Sequence, residues 1–389
     1  MMEALPETDL LAHNLSMVIG TSETASTSLA EQLRARIRRE GPLSFRDWMQ
    51  AALYDEHDGY YCRRGRVRWG RAGDYRTAPE RSPLIAATFA HYFVKLFFDL
   101  GAPDRWSIIE TGAGAGDFAF GVLSSLQTHF PGVLAATDYL IDEVSPDARA
   151  QARVKLEQFA DRVQFRRLAE IAEPFRHAVI FSNELLDAFP VHRVIGRKGG
   201  LRELYVSTNN RDEFVWVESE LQERVAEYCA RTELRLAEGQ IAEVNLEAEN
   251  FVSRAASLCE AGFLITVDYG AERSELLASP HRFNGTLRGF SRHQIADDVL
   301  AKPGDQDLTT TVDWTQLREA GERNGLETLR LERLDQFLLS EGLLDELATA
   351  ATNTENSVEA LRLQTSAREL IMPGGMAASF QVLVQRKNY

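Results

Sequence analysis

Ser107-Ile108-Ile109-Glu110-Thr111-Gly112-Ala113-Gly114-Ala115-Gly116-Asp117 decides how this chain is read. A short apolar run ends in an acid, and three alternating glycines lead into helix-like sequence. Small residues at every position of the turn let the backbone bend tightly and let a ligand approach it closely. A phosphate-binding loop of the form G-x-x-x-x-G-K-[ST] needs a lysine that does not follow here. A dinucleotide fingerprint G-x-G-x-x-G needs its third glycine at position 117, which is Asp117.

Outward from this turn, SIIET (107–111), YLIDEV (139–144), VQF (163–165), AVIFS (178–182) and FLITVDY (263–269) read as strands. Between the first four lie helical stretches such as Asp117–His129 and Pro146–Phe159. Apolar runs separated by helices are what a parallel sheet covered on both faces requires. The expected fold is therefore α/β, a doubly wound and mostly parallel sheet. From Val191 to about residue 220 the period shifts to two, in HRVIGR, LRELYVST and EFVWVES. Turn-rich Lys198-Gly199-Gly200 and Asn209-Asn210-Arg211-Asp212 join these runs, which predicts an antiparallel meander. With its following helix it makes a β-rich insertion over 191–250. Leu29, Leu33 and Ile37 repeat at helical spacing until Gly41-Pro42, and a second helix is expected from Ser44 to about Tyr54. Residues 29–105 are expected to form an N-terminal helical lid on a domain spanning 29–389. Residues 1–28, which end in TSETASTS, read as a tail or linker.

Composition narrows the partners. The chain has 389 residues, 43 Lys and Arg against 58 Asp and Glu, and a formal net charge of −15. Nucleic acid and anionic membranes repel such a surface unless arginines gather locally. One such run is Arg63, Arg64, Arg66, Arg68, Arg71 and Arg76, which reads as a solvated surface or, more sharply, as a docking patch for an acidic partner or a phosphate. Cys62, Cys229 and Cys259 are far apart and form no C-x-x-C pair, so neither a disulfide framework nor a zinc site is expected. The longest apolar stretch, Ala86 to Leu100, is broken by His91, Lys95 and Asp99, which predicts an amphipathic helix with no membrane insertion. The first 28 residues hold four acids and no Lys or Arg, so the expected location is cytoplasmic.

The stretch Glu110-x-Gly112-x-Gly114-x-Gly116 resembles the first motif of class I S-adenosylmethionine-dependent methyltransferases. The second strand then ends in Asp142-Glu143, where a carboxylate can accept both hydroxyls of a ribose. Glu143 is the candidate. A solvated acid at a strand end is the competing reading.

Further motifs occur in order along the chain: Gly41-Pro42, Gly59-Tyr60-Tyr61, Gly73-Asp74-Tyr75-Arg76-Thr77-Ala78-Pro79-Glu80 and Glu143-Val144-Ser145-Pro146. Next come Ser182-Asn183-Glu184-Leu185-Leu186-Asp187-Ala188-Phe189-Pro190-Val191, Val267-Asp268-Tyr269-Gly270, Gly289-Phe290-Ser291-Arg292-His293, Pro303-Gly304-Asp305 and Val312-Asp313-Trp314. Each is weak alone; in register they are similar to the MidA-like family of class I methyltransferases. That family includes the mitochondrial complex I assembly factor that methylates a protein arginine. The resemblance implies a Rossmann-like methyltransferase fold, S-adenosylmethionine as cofactor, and a protein substrate, in the mitochondrial members a respiratory complex I subunit. It also places Thr77, Pro79 and Glu80 as a lid over the cofactor. The family's turn reads G-P-G-R-G, whereas this chain has alanine at 113 and 115. That departure leaves the acceptor open.

Methyl transfer is an in-line displacement, so its main demand is alignment. A guanidinium acceptor is a poor nucleophile that a carboxylate pair can grip and orient. Glu184 and Asp187 follow the fourth strand at the carboxyl edge of the sheet. Three residues apart, they lie on neighbouring faces if a helical turn starts there. They are the expected catalytic residues. Glu110, Gly112, Gly114, Gly116, Glu143, Thr77 and Asn183 are the expected cofactor contacts. The competing reading makes Asn183 and Asp187 caps of the turn before Pro190. Asp268 and His293 follow as second candidates, then Asp305, Thr309 and Asp313. A small-molecule methyltransferase and a non-catalytic binding protein on the same fold remain alternatives.

Overall fold

The computed structural model describes residues 28–65, 82–291, 294–352, 357–372 and 375–388. The chain opens with α1 (Leu29–Glu40), α2 (Phe45–Tyr54) and α3 (Pro83–Asp99). Ser28 and Glu31 form a reciprocal capping box on α1, and Gly41 ends it at φ 87°. Ser44 caps α2 by accepting from Asp47 N–H over 3.1 Å, as its side chain predicted.

The central sheet begins with β1 (Trp106–Thr111), β2 (Thr137–Asp142), β3 (Val163–Phe165) and β4 (Phe175–Asn183). Helices α4 (Asp117–His129) and α5 (Pro146–Lys155) connect its first strands. The insertion follows: β5 (His192–Arg197), β6 (Gly200–Thr208), β7 (Phe214–Ser219), α6 (Glu223–Arg231) and β8 (Ile241–Val244). Then come α7 (Leu246–Ser257), β9 (Cys259–Asp268), α8 (Trp314–Arg323), β10 (Leu326–Arg333), three helices over 334–340, 343–352 and 357–371, and β11 (Gln381–Lys387).

The seven strands lie in the order β10-β11-β9-β4-β1-β2-β3. From β9 to β3 all neighbours are parallel, and β11 runs antiparallel to both β9 and β10. Alternation along the strands supplies two cores. Ile108, Tyr139, Ile141, Val179 and Phe181 face α3 and α4. Ile109, Leu140, Ala178 and Ile180 face α7 and α8. On the first face Phe118 stacks on Phe181 at 4.3 Å. The chain passes from β3 back across β1 to β4, so the strand order reverses between β1 and β4. A crevice opens there at their carboxyl ends, the usual ligand position in doubly wound sheets.

The expected strands and meander are present, with three differences. The mixed edge of β10 and β11 was not anticipated. LETLRLER alternates with charges and QVLVQRK ends in two, yet Val382, Leu383 and Val384 are buried between neighbouring strands. Residues 29–105 are also not one unit. α3 packs on the central sheet, whereas α1 and α2 share a core with Val206 and Phe214 of the meander. Residues 43–44 even pair with β6, completing the inserted sheet from the N-terminal side. Finally, β8 adds to the meander by pairing with β5. All three cysteines are buried, free thiols, and no helix among the described residues is long and apolar enough to cross a membrane.

Candidate functional site

The glycine turn sits at the crevice, and its three glycines do different work. All adopt left-handed backbone, with φ of 70° at Gly112, 54° at Gly114 and 80° at Gly116. A Cβ on Gly112 would stand 2.9 Å from Leu185 Cδ1, so the turn after β4 rests directly on the turn after β1. A Cβ on Gly114 would meet nothing within 4 Å; it would project into the cavity that this residue lines. At Gly116 a Cβ would lie 3.0 Å from Ala152 Cβ, so this glycine serves the packing of α4 on α5. Gly116 does not line the cavity.

Glu143 is buried behind the turn. Its Oε2 accepts from Gly114 N–H at 2.8 Å and its Oε1 from Ser145 N–H at 2.7 Å. Burial raises its pKa, and the two N–H donors oppose that. Each carboxylate oxygen has two acceptor positions, so Glu143 keeps capacity for ligand hydroxyls. Its neighbour Asp142 is instead paired with Arg167 at 2.6 Å. Glu110, at the end of β1, accepts from Tyr139 Oη over 2.6 Å. Burial pushes it up to about 8, against the opposing pull of the phenol.

Beyond β4 the backbone does not start the helical turn expected there. Glu184 takes φ 50°, and a short 3-10 segment covers Leu186–Ala188. The expected pair is thereby separated. Glu184 lines the cavity, with Asn183 Nδ2 donating to its Oε1 at 3.1 Å. Asp187 lies outside that lining, buried, and accepts from Tyr269 Oη at 2.8 Å. Burial pushes Asp187 up to about 6. Asp268 also lies behind the turn and outside the lining; burial first, then the charge of Asp187, raises it well above the usual carboxylate range.

The cavity measures about 750 Å³, within the usual span of ligand sites. Its floor is Glu110 and the glycine turn, and one flank is Glu143, Arg167, Leu168 and Ala169. Two features escaped the sequence. Tyr54 of α2 and Tyr61 stack at 5.4 Å on the wall, tied by Tyr54 Oη to Ala188 O at 3.1 Å and Tyr61 Oη to Asp307 Oδ1 at 2.7 Å. Arg254 of α7 donates to the carbonyls of Leu168 and Ile171, clamping the flank. Gly59-Tyr60-Tyr61 was the available signal for the first. Nothing local marks Arg254, 86 residues from Leu168.

The remaining candidates fall elsewhere. Asp313 caps α8 and pairs with Arg273 at 2.9 Å; Asp305 pairs with Arg63 at 2.7 Å. Neither these two nor Thr309 lines the cavity. Thr77, Pro79, Glu80 and His293, and the arginines at 66, 68, 71 and 76, lie outside the described residues. No group of His, Cys, Asp or Glu that could hold a metal ion occurs among the described residues.

A sulfonium amino acid joined to adenosine fits this chemistry. The open face at Gly114 admits backbone approach, and Glu143 can receive hydroxyls.

Known proteins agree with the geometry. A family model described as S-adenosyl-L-methionine-dependent methyltransferase matches residues 88–331. The protein arginine methyltransferase NDUFAF7 homolog, mitochondrial, of Drosophila melanogaster is 28% identical over 337 residues, 78% of this chain and 72% of the relative. Protein arginine methyltransferase NDUFAF7, mitochondrial, of Danio rerio is 26% identical over 386 residues, 93% of this chain and 87% of the relative. A crystal structure from Burkholderia thailandensis, bound to S-adenosyl-homocysteine, matches with a TM-score of 0.82 at 29% identity, covering 92% of each chain. These relatives correct one expectation: they are named mitochondrial, so the cytoplasmic location read from the first 28 residues does not stand. Acidity and cysteine spacing constrain surface chemistry and oxidation state, and neither is an address.

Proposed function

Because the chain belongs to the family of S-adenosyl-L-methionine-dependent methyltransferases, we propose that it methylates an arginine side chain of a protein, with Glu184 receiving the guanidinium. The observation that carries this reading is Glu184 itself. It is a carboxylate on the cavity wall, held in left-handed backbone beside the glycine turn. The acceptor class comes from the relatives, which are named protein arginine methyltransferases. The family resemblance extends it to a subunit of respiratory complex I.

When bound, S-adenosylmethionine supplies an electrophilic methyl on a sulfonium that departs as a neutral thioether. The chain's own residues align, hold charge and manage the proton. Gly114 would permit close approach of the ligand, and Glu143 would accept its hydroxyls. Glu184, steadied by Asn183, accepts guanidinium N–H bonds, turns one nitrogen toward the methyl and favours the lone pair there. The proton released from that nitrogen passes to Glu184 or to water. Tyr54 and Tyr61 offer an aromatic wall against which the planar cation can lie. Asp187, turned toward Tyr269, takes no part in the grip.

Calorimetry with S-adenosylhomocysteine, followed by transfer of radiolabelled methyl groups into a lysate and amino-acid analysis of the product, tests the reading. Label should appear as methylarginine in protein. Glu184→Gln should lower the rate roughly a hundredfold or more while leaving cofactor affinity within about threefold. Label in small molecules, or full activity of the variant, would refute the proposal.

A further inference from the structure

Glu184 owes its position to a residue that never reaches the cavity. Asp268, at the last position of β9, is fully buried, and its Oδ2 is the meeting point of three consecutive backbone amides. Leu185 N–H donates to it at 3.3 Å, Leu186 N–H at 3.0 Å and Asp187 N–H at 3.4 Å. The other oxygen accepts Tyr269 N–H at 2.9 Å. One residue earlier, Val267 O accepts Glu184 N–H at 2.9 Å. Four successive amides, 184 to 187, are thus gathered onto the end of one strand.

We infer that Asp268 is a positioning residue for methyl transfer: it holds the 184–187 turn in the backbone conformation that presents Glu184 to the cavity. A non-glycine residue at φ 50° persists only where its surroundings over-determine it. Three amides aimed at one buried carboxylate oxygen provide that determination. A single oxygen can collect three N–H groups only if the chain curls tightly around it, and that curl is what forces Glu184 outside a normal helical start. The same turn seats Leu185 on Gly112, so Asp268 also sets the spacing between the acceptor-facing carboxylate and the cofactor-facing glycines. An error there of about 1 Å is enough to cost roughly a hundredfold in rate. Asp268 is outside the cavity lining, so it acts on ligands only through the turn that carries Glu184.

The inference rests on the reading of Glu184 as the acceptor-binding carboxylate, and a double-mutant cycle separates the two. The full chain is used, with tritium transfer from S-adenosylmethionine to the principal labelled polypeptide of a lysate, and S-adenosylhomocysteine as the binding probe. Asp268→Asn keeps the shape and replaces one acceptor oxygen by a donor. It should lower the transfer rate at saturating cofactor by roughly a hundredfold with cofactor affinity changed by less than about threefold. In the Glu184→Gln background the same substitution should change the rate by less than about twofold. If Glu184→Gln falls below detection, Glu184→Asp takes its place in the cycle. Multiplicative losses would overturn the positioning role, as would an Asp268→Asn enzyme that keeps its full rate. An active Glu184→Gln enzyme would instead sink the reading of Glu184. Should Asp268→Asn fail to fold, Asp268→Glu, which moves the carboxylate by one methylene, enters the same cycle. If neither folds, Asp268 is a folding residue and the inference is lost.

Discussion

Tyr139 and Glu110 meet across neighbouring parallel strands, the phenol donating to Glu110 Oε2 over 2.6 Å, both side chains buried directly beneath the glycine turn. Burial lifts Glu110 from its ordinary 4.5 to about 8, so at neutral pH it is a neutral acid supporting the strand end. The folded state then holds a proton that the unfolded chain releases. Its contribution to stability is complete below about pH 4.5 and is lost as pH rises through about 8, an upper bound of roughly 4–5 kcal/mol across that window. Denaturant melts of wild type and Glu110→Gln at pH 5.5 and 8.5 check the sign: wild type should lose roughly 2–4 kcal/mol more than the variant. Parallel pH curves would show that Glu110 does not titrate in this window. Tyr139→Phe removes a bond that lowers the Glu110 pKa, so it should cost about 1–3 kcal/mol and move the loss to higher pH.

Gly114 and Gly116 should respond differently to the same methyl group. Gly114→Ala places its Cβ in the cavity, so S-adenosylhomocysteine affinity should fall about tenfold or more, with a stability cost of about 1 kcal/mol for the left-handed backbone. Gly116→Ala adds a clash with Ala152 and should cost about 2–3 kcal/mol, with affinity within about threefold of wild type. Calorimetry beside denaturant melts separates the two; a shared binding defect would contradict this division of labour.

Asp187→Asn tests the separation of the two acids found after β4. Because Asp187 faces Tyr269 and not the cavity, transfer should stay within about fivefold of wild type, a small loss beside that expected for Glu184→Gln. The native carboxyl, raised to about 6 by burial, adds stability that disappears as pH climbs through that value. The variant should therefore gain on wild type from pH 5 to 8 in thermal melts. Equal losses of activity at 184 and 187 would restore a two-carboxylate grip.

Arg254→Met would free the flank of the cavity. The carbonyls of Leu168 and Ile171 lose their donor, which should cost about 1–2 kcal/mol and weaken cofactor binding roughly tenfold. An unchanged dissociation constant for S-adenosylhomocysteine would mean that the flank is rigid without Arg254.

Much of this was legible before any coordinates. Strand, glycine turn and helix at 107–129 read correctly because period and breaker signals are local. That Glu143 would stand beside the glycine turn was legible because its order after the second strand is itself a constraint. The Tyr54–Tyr61 pair, the Arg254 clamp and the edge strands β10 and β11 were not, since each depends on segments brought together only by packing. The pairing of Glu184 with Asp187 failed for a related reason: i to i+3 spacing places two side chains together only if the backbone between them is helical.

By itself, then, the amino-acid sequence determined the class of fold, the glycine turn and the family to which the chain belongs. All are written in short-range patterns of residue size and polarity. Tertiary structure alone decided which of the two acids faces the cavity. Asp268, more than 80 residues away, gathers the amides of 185–187 onto one oxygen, and the left-handed turn that results sends Glu184 outward and Asp187 in. No local pattern encodes a backbone conformation whose stabilising partner sits on another strand.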